Sequence, residues 1–460
     1  MASIGSTYDP ASTAQALAES FTASRQQMLT RQSGQASATE KALGTLGSAL
    51  STFQNSLQSL AGLNKTMTAN SALFSDTSVA SATATPTAAA GTYAFFVRQL
   101  ASAHQVSYSG LQDIVVGNTP ETLKFESGTG TSKTQLFTVD LAANKTYTVR
   151  ELAAAINGAA GNTSVSASVV TGTDGNGASF SELVLASKLT GAANNIVLTP
   201  STGGDADAKF SASTVKELAP AQNAIVNIGS SGGTETHSPT NTFNIIDGVS
   251  MTLAKAQAPG SAPVTLTVGA DTSKTTANVQ AFVDSYNKLK SAIDSLVSPG
   301  APSSGAAAGA FAGDSGVRAL RDQLVSLVRA SGATSLASFG IIANRQGTLS
   351  VDSTRLAKAM AANPTGLDTL IGSASSSAPS GIAGKLNTYL QTWTDGQITT
   401  RKTAVGKLQA SLTERQTTLD RQYDSAYGRY LEQFTRLQSV QSSMSYNTSL
   451  FDALFSSSKD

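Results

Sequence analysis

From about Gly384 to Phe455 the chain carries no proline, the last one being Pro379. Within that stretch Val405, Leu408, Leu412, Leu419, Tyr423, Ala426, Tyr430, Phe434, Leu437, Gln441 and Met444 recur at steps of three, four or seven residues. That spacing lays one apolar seam along a helix, in the manner of a coiled coil. The seam is flawed: Arg415 and Gln422 fall where a regular heptad takes aliphatic residues, and tyrosines stand where leucine packs better. A lone copy is therefore expected to be marginally stable. Near the other end, Leu43, Leu46, Leu50, Phe53, Leu57 and Leu60 form a regular a/d register. Burying each such side chain is worth roughly 1.5–3 kcal/mol, and joining the two chain ends is the simplest way to bury both seams. Everything between them then becomes an insertion on a helical stalk.

Composition narrows the function. Charged residues make up only 13% of the 460, and 31 basic side chains nearly balance 30 acidic ones. Nucleic acid and anionic membrane both select a basic surplus, so neither is expected as a partner. Cysteine is absent, which excludes disulfides and thiolate metal sites and suits a chain exported unfolded. The first basic residue is Arg25 and no long apolar run precedes it, so no cleaved signal peptide is expected. No run approaches the ~20 apolar residues of a membrane span.

Taken in order, residues 1–42 are polar, rich in Ser, Thr, Gln and Ala, with sparse apolar points at Leu17, Phe21 and Met28. They are expected to be disordered or weakly helical until a partner orders them. The heptad helix runs from about Lys41 to Gly62, and a Ser/Thr/Ala-rich boundary reaches Pro86. From Gly91 the period changes to two, with Tyr93, Phe95 and Val97 on one face. Between Leu111 and Pro220 a second β-rich unit holds one helix, Glu151 to Ile156. There Phe137–Leu141 and Tyr147–Val149 are expected to pair as a hairpin across Asn144-Lys145. The strands around Val226, Met251 and Leu266 are expected to rejoin the sheet begun at Tyr93. Helix returns at Asn278, with Val279, Phe282, Val283, Tyr286, Leu289, Ile293 and Leu296 as its stripe, and again around Leu320 and Leu356. Asp352 is placed to cap the last of these, after a hairpin turned at Gln346-Gly347.

The predicted fold is a multidomain α+β chain. Terminal legs (1–42 and 418–460) pair as a coiled coil on a helical stalk domain (43–85 and 274–417). A β-rich head (86–110 and 221–273) carries an inserted outer head (111–220).

Several stretches carry a resemblance that covers nearly the whole chain. Asp247-Gly-Val-Ser-Met-Thr-Leu253, Val264-Thr-Leu-Thr-Val268 and Ala281-Phe-Val-Asp-Ser-Tyr-Asn-Lys288 are similar to the C-terminal region of the bacterial flagellar filament cap family, hook-associated protein 2. So are Phe339-Gly-Ile341, Gly347-Thr-Leu-Ser-Val-Asp352 and Ala361-Ala-Asn-Pro364. Gly91-Thr-Tyr93, Gln99-Leu-Ala101, Leu183-Val-Leu185 and Thr190-Gly-Ala-Ala-Asn194 match its middle, whereas Ile4-Gly-Ser-Thr-Tyr-Asp9 matches its opening only loosely. The resemblance implies a homo-oligomeric ring of four to six subunits at the distal tip of the extracellular flagellum, reached through the flagellar export apparatus. Its implied partners are flagellin, the hook–filament junction proteins and an export chaperone. Leg association would rest on Leu43, Leu46, Leu50, Phe53, Leu57, Leu60, Leu408, Leu412, Leu419 and Tyr423. Chaperone or filament docking would use Phe434, Leu437, Val440, Met444, Leu450, Phe451, Leu454 and Phe455.

Other chemistry finds little footing. Ser285-Tyr-Asn-Lys288 fits an S-x-x-K pattern, but S-D-N and K-T-G occur nowhere and the tetrapeptide lies in an amphipathic helix. His104 and His237 are the only histidines, too few for a His-based metal site. The Gly172–Gly177 loop lacks a calcium repeat. No enzyme activity, cofactor or metal is expected. The competing readings are an adhesin that binds glycans through 111–220, and a flagellin or junction protein of the same assembly.

Overall fold

The computed structural model describes residues 9–129, 132–173, 175, 177, 179–301, 303, 305–329 and 335–456. Of the sequence readings, Ile4–Tyr8, Asp174, Asn176 and the side chain of Phe455 lie outside the described residues. The chain forms two compact units, Met1–Met67 with Ser273–Asp460, and Thr68–Thr272. The second unit is thus inserted into the first.

Helix α1 runs unbroken over Pro10–Ala61. The Asp9 carboxylate accepts from the N–H groups of Ala11 and Ser12 at 3.2 and 3.1 Å, and Pro10 sits where a missing N–H goes unnoticed. No break separates a weak leg at 1–42 from a heptad helix beginning near Lys41. The Ala- and Gln-rich sequence between them holds good helix formers and nothing that stops a helix.

In the inserted unit, one core gathers Phe74, Phe95, Val226, Met251 and Leu266 between two sheets. The five-stranded sheet runs Asn70–Phe74, Val264–Ala270, Gly91–Gln99, Ala224–Ile228, Thr234–Ser238. Val249–Leu253 instead pairs with Ala80–Ala84 and Thr242–Phe243 in a sheet of its own, which corrects the expectation that it joins Tyr93. Alternation fixes which face a strand buries, not which neighbour it takes. The strands at 70–84 come from the stretch read as a boundary, so this unit opens at Thr68 rather than at residue 86.

A second core in the same unit collects Tyr108, Phe125, Phe137, Leu152, Leu185 and Phe210. Ser132–Leu141 pairs back onto Glu121–Thr129, and Thr146–Tyr147 pairs with Ile114–Val115. The expected hairpin across Asn144 therefore does not form, although Asn144 does turn the chain at φ 56°. Thr148 and Glu151 build a capping box that starts α2 (Val149–Gly158) at Val149, before that residue can extend a strand. A second helix, α3 (Asp205–Ala212), has no strong sequence signal. Its first N–H groups are capped from far along the chain, by the buried Glu121 carboxylate on Asp205 and Ala206 at 3.0 and 2.8 Å.

The first unit resumes with α4 (Thr272–Val297) and α5 (Ser315–Val328). A hairpin of Ile341–Ala343 and Leu349–Val351 follows. Next come α6 (Ser353–Ala362), capped by Asp352, then α7 (Gly366–Ile371) and α8 (Gly381–Gln391). A π-helical turn, Thr392–Ile398, leads directly into α9 (Thr399–Ser456). Leu43, Leu46, Leu50, Phe53 and Leu57 are buried in one core with Phe282, Tyr286, Leu320, Leu386 and Trp393. This stripe was expected to bury itself against the C-terminal seam. It packs in the stalk core instead, because α4, α5 and α8 offer it far more apolar surface than a second narrow seam would. Leu60 is only partly buried at the edge of that core.

Candidate functional site

Beyond the stalk core, the outer part of α1 and α9 pack along each other as an antiparallel two-helix leg. Three polar pairs fix the register. The Gln409 amide donates to Glu40 at 2.8 Å, Gln416 to Gln26 at 2.8 Å, and the Arg25 guanidinium to Gln422 at 2.8 Å. On α9 the inward side chains are Val405, Gln409, Leu412, Gln416, Leu419, Tyr423, Ala426 and Tyr430, stepping four and three throughout. The seam is therefore regular, with glutamine at two of its positions. Leu408, expected within it, is 47% exposed, and Arg415 and Gln422 lie outside it. Choosing the aliphatic residue at each step places Leu408 in the seam one residue early. The half-buried glutamines keep their amides satisfied across the helix pair, and Tyr423 stacks on Tyr427 with ring centroids 6.4 Å apart.

On α1 the buried positions facing this seam are Ala14, Ala18, Thr22 and Ala36. Leu17, Phe21 and Met28, the apolar points of this stretch in the sequence, are exposed. Small side chains let the two helices approach closely but bury little area. The exposed three share one side of the helix, and Arg25 lies over the Phe21 ring at 5.7 Å.

The end of α9 differs from the rest. Counting outwards from the Arg25–Gln422 pair, Pro10 comes opposite about Leu437. Among the described residues, α9 therefore runs beyond α1 from there to Ser456. The four-three rhythm of the seam continues into this overhang at Leu437, Val440, Met444, Phe451 and Leu454. Leu437 is 45% exposed and Met444 64%, and Val440, Leu450, Phe451 and Leu454 are exposed as well. Phe434, just before the overhang, is half-buried. The sequence brought out these residues as one apolar face; the structure adds that they prolong a seam already in use.

At the inner end, Arg401 clasps Asp314 through two hydrogen bonds, 2.6 and 3.1 Å, while its guanidinium carbon stands 5.4 Å over the Trp393 ring. Burial opposes the charged form of Asp314. The Arg401 guanidinium and the N–H groups of Val317 and Gly316 outweigh it and hold the carboxyl below its ordinary range. Trp393 belongs to the stalk core rather than to the leg.

Ser285 gives its hydroxyl to the Phe282 carbonyl at 2.9 Å and Lys288 is exposed, so the S-x-x-K pattern is a helical coincidence. His104 accepts from the Ile196 N–H at 2.9 Å within a head core, and His237 lies on a strand. No helix among the described residues is long and apolar enough to cross a membrane.

Three family models match the chain. Flagellar hook-associated protein 2 N-terminus covers 6–104, flagellar hook-associated protein 2 C-terminus covers 221–446, and the flagellin hook IN motif covers 122–188 between them. The lateral flagellar hook-associated protein 2 of Vibrio parahaemolyticus is 32% identical over 83% of this chain and 85% of its own length. The flagellar hook-associated protein 2 of Escherichia coli K12 is 29% identical over 94% and 95%. A crystal structure of the D1-D2-D3 domains of the flagellar cap protein FliD from Escherichia coli superposes with TM-score 0.61 at 27% identity, covering 79% of this chain and 99% of that one. None of these matches supports the adhesin reading. With a relative above 30% identity along most of both chains, this chain belongs to the flagellar hook-associated protein 2 family, the structural cap proteins of the flagellar filament.

Proposed function

We propose that four to six copies of this chain form a ring at the distal tip of the flagellar filament, hold exported flagellin there and promote its polymerisation. The observation that carries the reading is the α9 overhang. A seam that pairs with α1 as far as Ala426 and Tyr430, then continues in register past the level of Pro10 with Leu437, Val440 and Met444 exposed, suits completion by another chain. On the assembled filament that chain is flagellin at the tip, with the hook–filament junction proteins receiving the first ring. Before assembly an export chaperone would cover the same face, from Phe434 through Leu437, Val440, Met444, Leu450, Phe451 and Leu454 to Phe455. Cysteine-free sequence suits passage through a narrow export channel.

The test is the triple substitution Leu437→Ser, Val440→Ser, Met444→Ser in the full chain, mixed with filaments and viewed by electron microscopy. These side chains are exposed, so thermal unfolding should be unchanged while decoration of filament tips is lost. Tips that remain capped would refute the docking role, and native mass measurement of the unmodified ring would test the subunit number.

A further inference from the structure

Three features meet where the leg leaves the stalk core. The first is the π-helical turn Thr392–Ile398, a seven-residue interruption in what is otherwise continuous helix from Gly381 to Ser456. Within it the Thr394 hydroxyl bonds the carbonyls of Leu390 and Gln391, and the Thr399 hydroxyl reaches the Thr394 carbonyl five residues back. Wide turns and hydroxyls that compete for helix carbonyls both mark points where helices bend.

The second is a set of glycines that the packing does not require. A Cβ on Gly44 or Gly396 would meet nothing within 4 Å, and one on Gly47 would make ordinary contact with Ile398 at 3.6 Å. None of the three has a positive φ. Alanine fits at each position and would favour helix, so the glycines lower local stiffness without a steric reason. Gly47 faces Ile398 across the helix pair. The soft points of α1 and of the α8–α9 helix therefore lie at one level. Three further unconstrained glycines, Gly34, Gly406 and Gly428, lie further along the leg.

The third is the clasp of Arg401 on Asp314 and Trp393. It ties the first turn of α9 to the capping residue of α5, on the stalk side of the joint.

We propose that Thr392–Ile398 and the facing glycines Gly44 and Gly47 form a hinge on which the two-helix leg swings against the stalk core, with Arg401 as its latch. The core ends on α1 at Ala42, within a turn of Gly44, and beyond it α1 is tied to α9 by the small side chains Ala36, Thr22, Ala18 and Ala14 and by three polar pairs, so the segment outside the joint is held more lightly than the segment inside it. A joint of this kind would let one stalk domain stay seated while its leg follows a changing surface. It does not depend on what the leg binds.

Because the chain has no cysteine, spin labels can be placed singly. One pair, Ser326→Cys with Thr417→Cys, reports leg against core; a second, Ser291→Cys with Ser326→Cys, reports the core alone. All three positions are exposed. Pulsed electron paramagnetic resonance on the full chain should give a broad leg–core distance distribution beside a narrow core distribution. Gly44→Ala, Gly47→Ala and Gly396→Ala together should narrow the former by at least a third, and Arg401→Gln should widen it, with helical circular dichroism retained. A leg–core distribution as narrow as the core pair in the unmodified chain would overturn the hinge. So would an alanine variant, still helical, whose distribution is unchanged.

Discussion

From Ala42 to Ala61, α1 presents leucine and phenylalanine to helices on several sides; from Pro10 to Ala36 the same helix presents alanine and threonine to α9 alone. Phe53 is 1% exposed and touches Phe282 and Tyr286 through ring centroids 6.4 and 6.3 Å apart. Thr22, by contrast, spends its hydroxyl on the Ala18 carbonyl of its own helix. One continuous helix is thus anchored at one end and adjustable at the other. A long helix need not be uniformly stable: what it packs against decides where it holds and where it opens.

The largest effect should come from the anchored end. Phe53→Ala is expected to cost about 3–5 kcal/mol, the range for emptying a packed aromatic site, and chemical denaturation should show it in the main unfolding transition. Leu419→Ala removes a side chain that is equally buried in the leg. There it should cost about 2 kcal/mol, the low end for such truncations, because only one neighbouring helix lines the site. Hydrogen exchange should show that loss in α1 before Ala36 and in α9 beyond Thr399, while α4 and α5 stay protected. Equal loss of protection in both regions would mean that leg and core unfold as one unit and the contrast is false.

Gln416→Leu should act in the opposite direction. Gln416 is half-buried, exchanges amide bonds with Gln26 and also bonds Asp420; both partners are exposed, so water replaces these bonds at little cost. Leucine would add buried apolar area and stabilise the leg by about 1 kcal/mol. If the variant is less protected, the glutamine pair is itself holding the register.

How legible this was in the sequence depended on what each residue contributes to a pattern. Leu43 to Leu57, Leu412 and Leu419 were readable because leucine repeated at heptad spacing in a polar helix marks a buried face. Gln409 and Gln416 were not, since a polar residue in a seam looks like an interruption until its partner on the other helix is known. Ala14, Ala18 and Ala36 carry no pattern, alanine being at home on any helix face, so the sequence singled out only the sparse apolar points Leu17, Phe21 and Met28. The strand Ala80–Ala84, made only of Ala, Ser and Thr, passed for part of a boundary for the same reason. The cap of α3 was hidden by distance, because Glu121 supplies from another strand what sequence reading seeks in the preceding residue. The overhang was seen as an apolar face, but its meaning depends on where α1 ends, which only the register of the helix pair reveals.

The smallest effect tests the joint between the two regions. Asp314 has a carboxyl held below its ordinary value of 3.8, chiefly by Arg401 once the opposing cost of burial is overcome. A group depressed in the folded state stabilises fully above its unfolded value and loses that contribution as pH falls through its folded one. The clasp should therefore hold at neutral pH and release progressively as the pH drops below that ordinary value. Trp393 is the chain's single tryptophan and lies beneath Arg401, so its fluorescence should change across that window when Arg401 lets go. In Asp314→Asn the pairing charge is gone at every pH, and the fluorescence change in acid should vanish while the seam of the leg stays intact. If Asp314→Asn keeps the same acid transition, then other carboxylates drive it, and the boundary between anchored core and adjustable leg is not held by this pair.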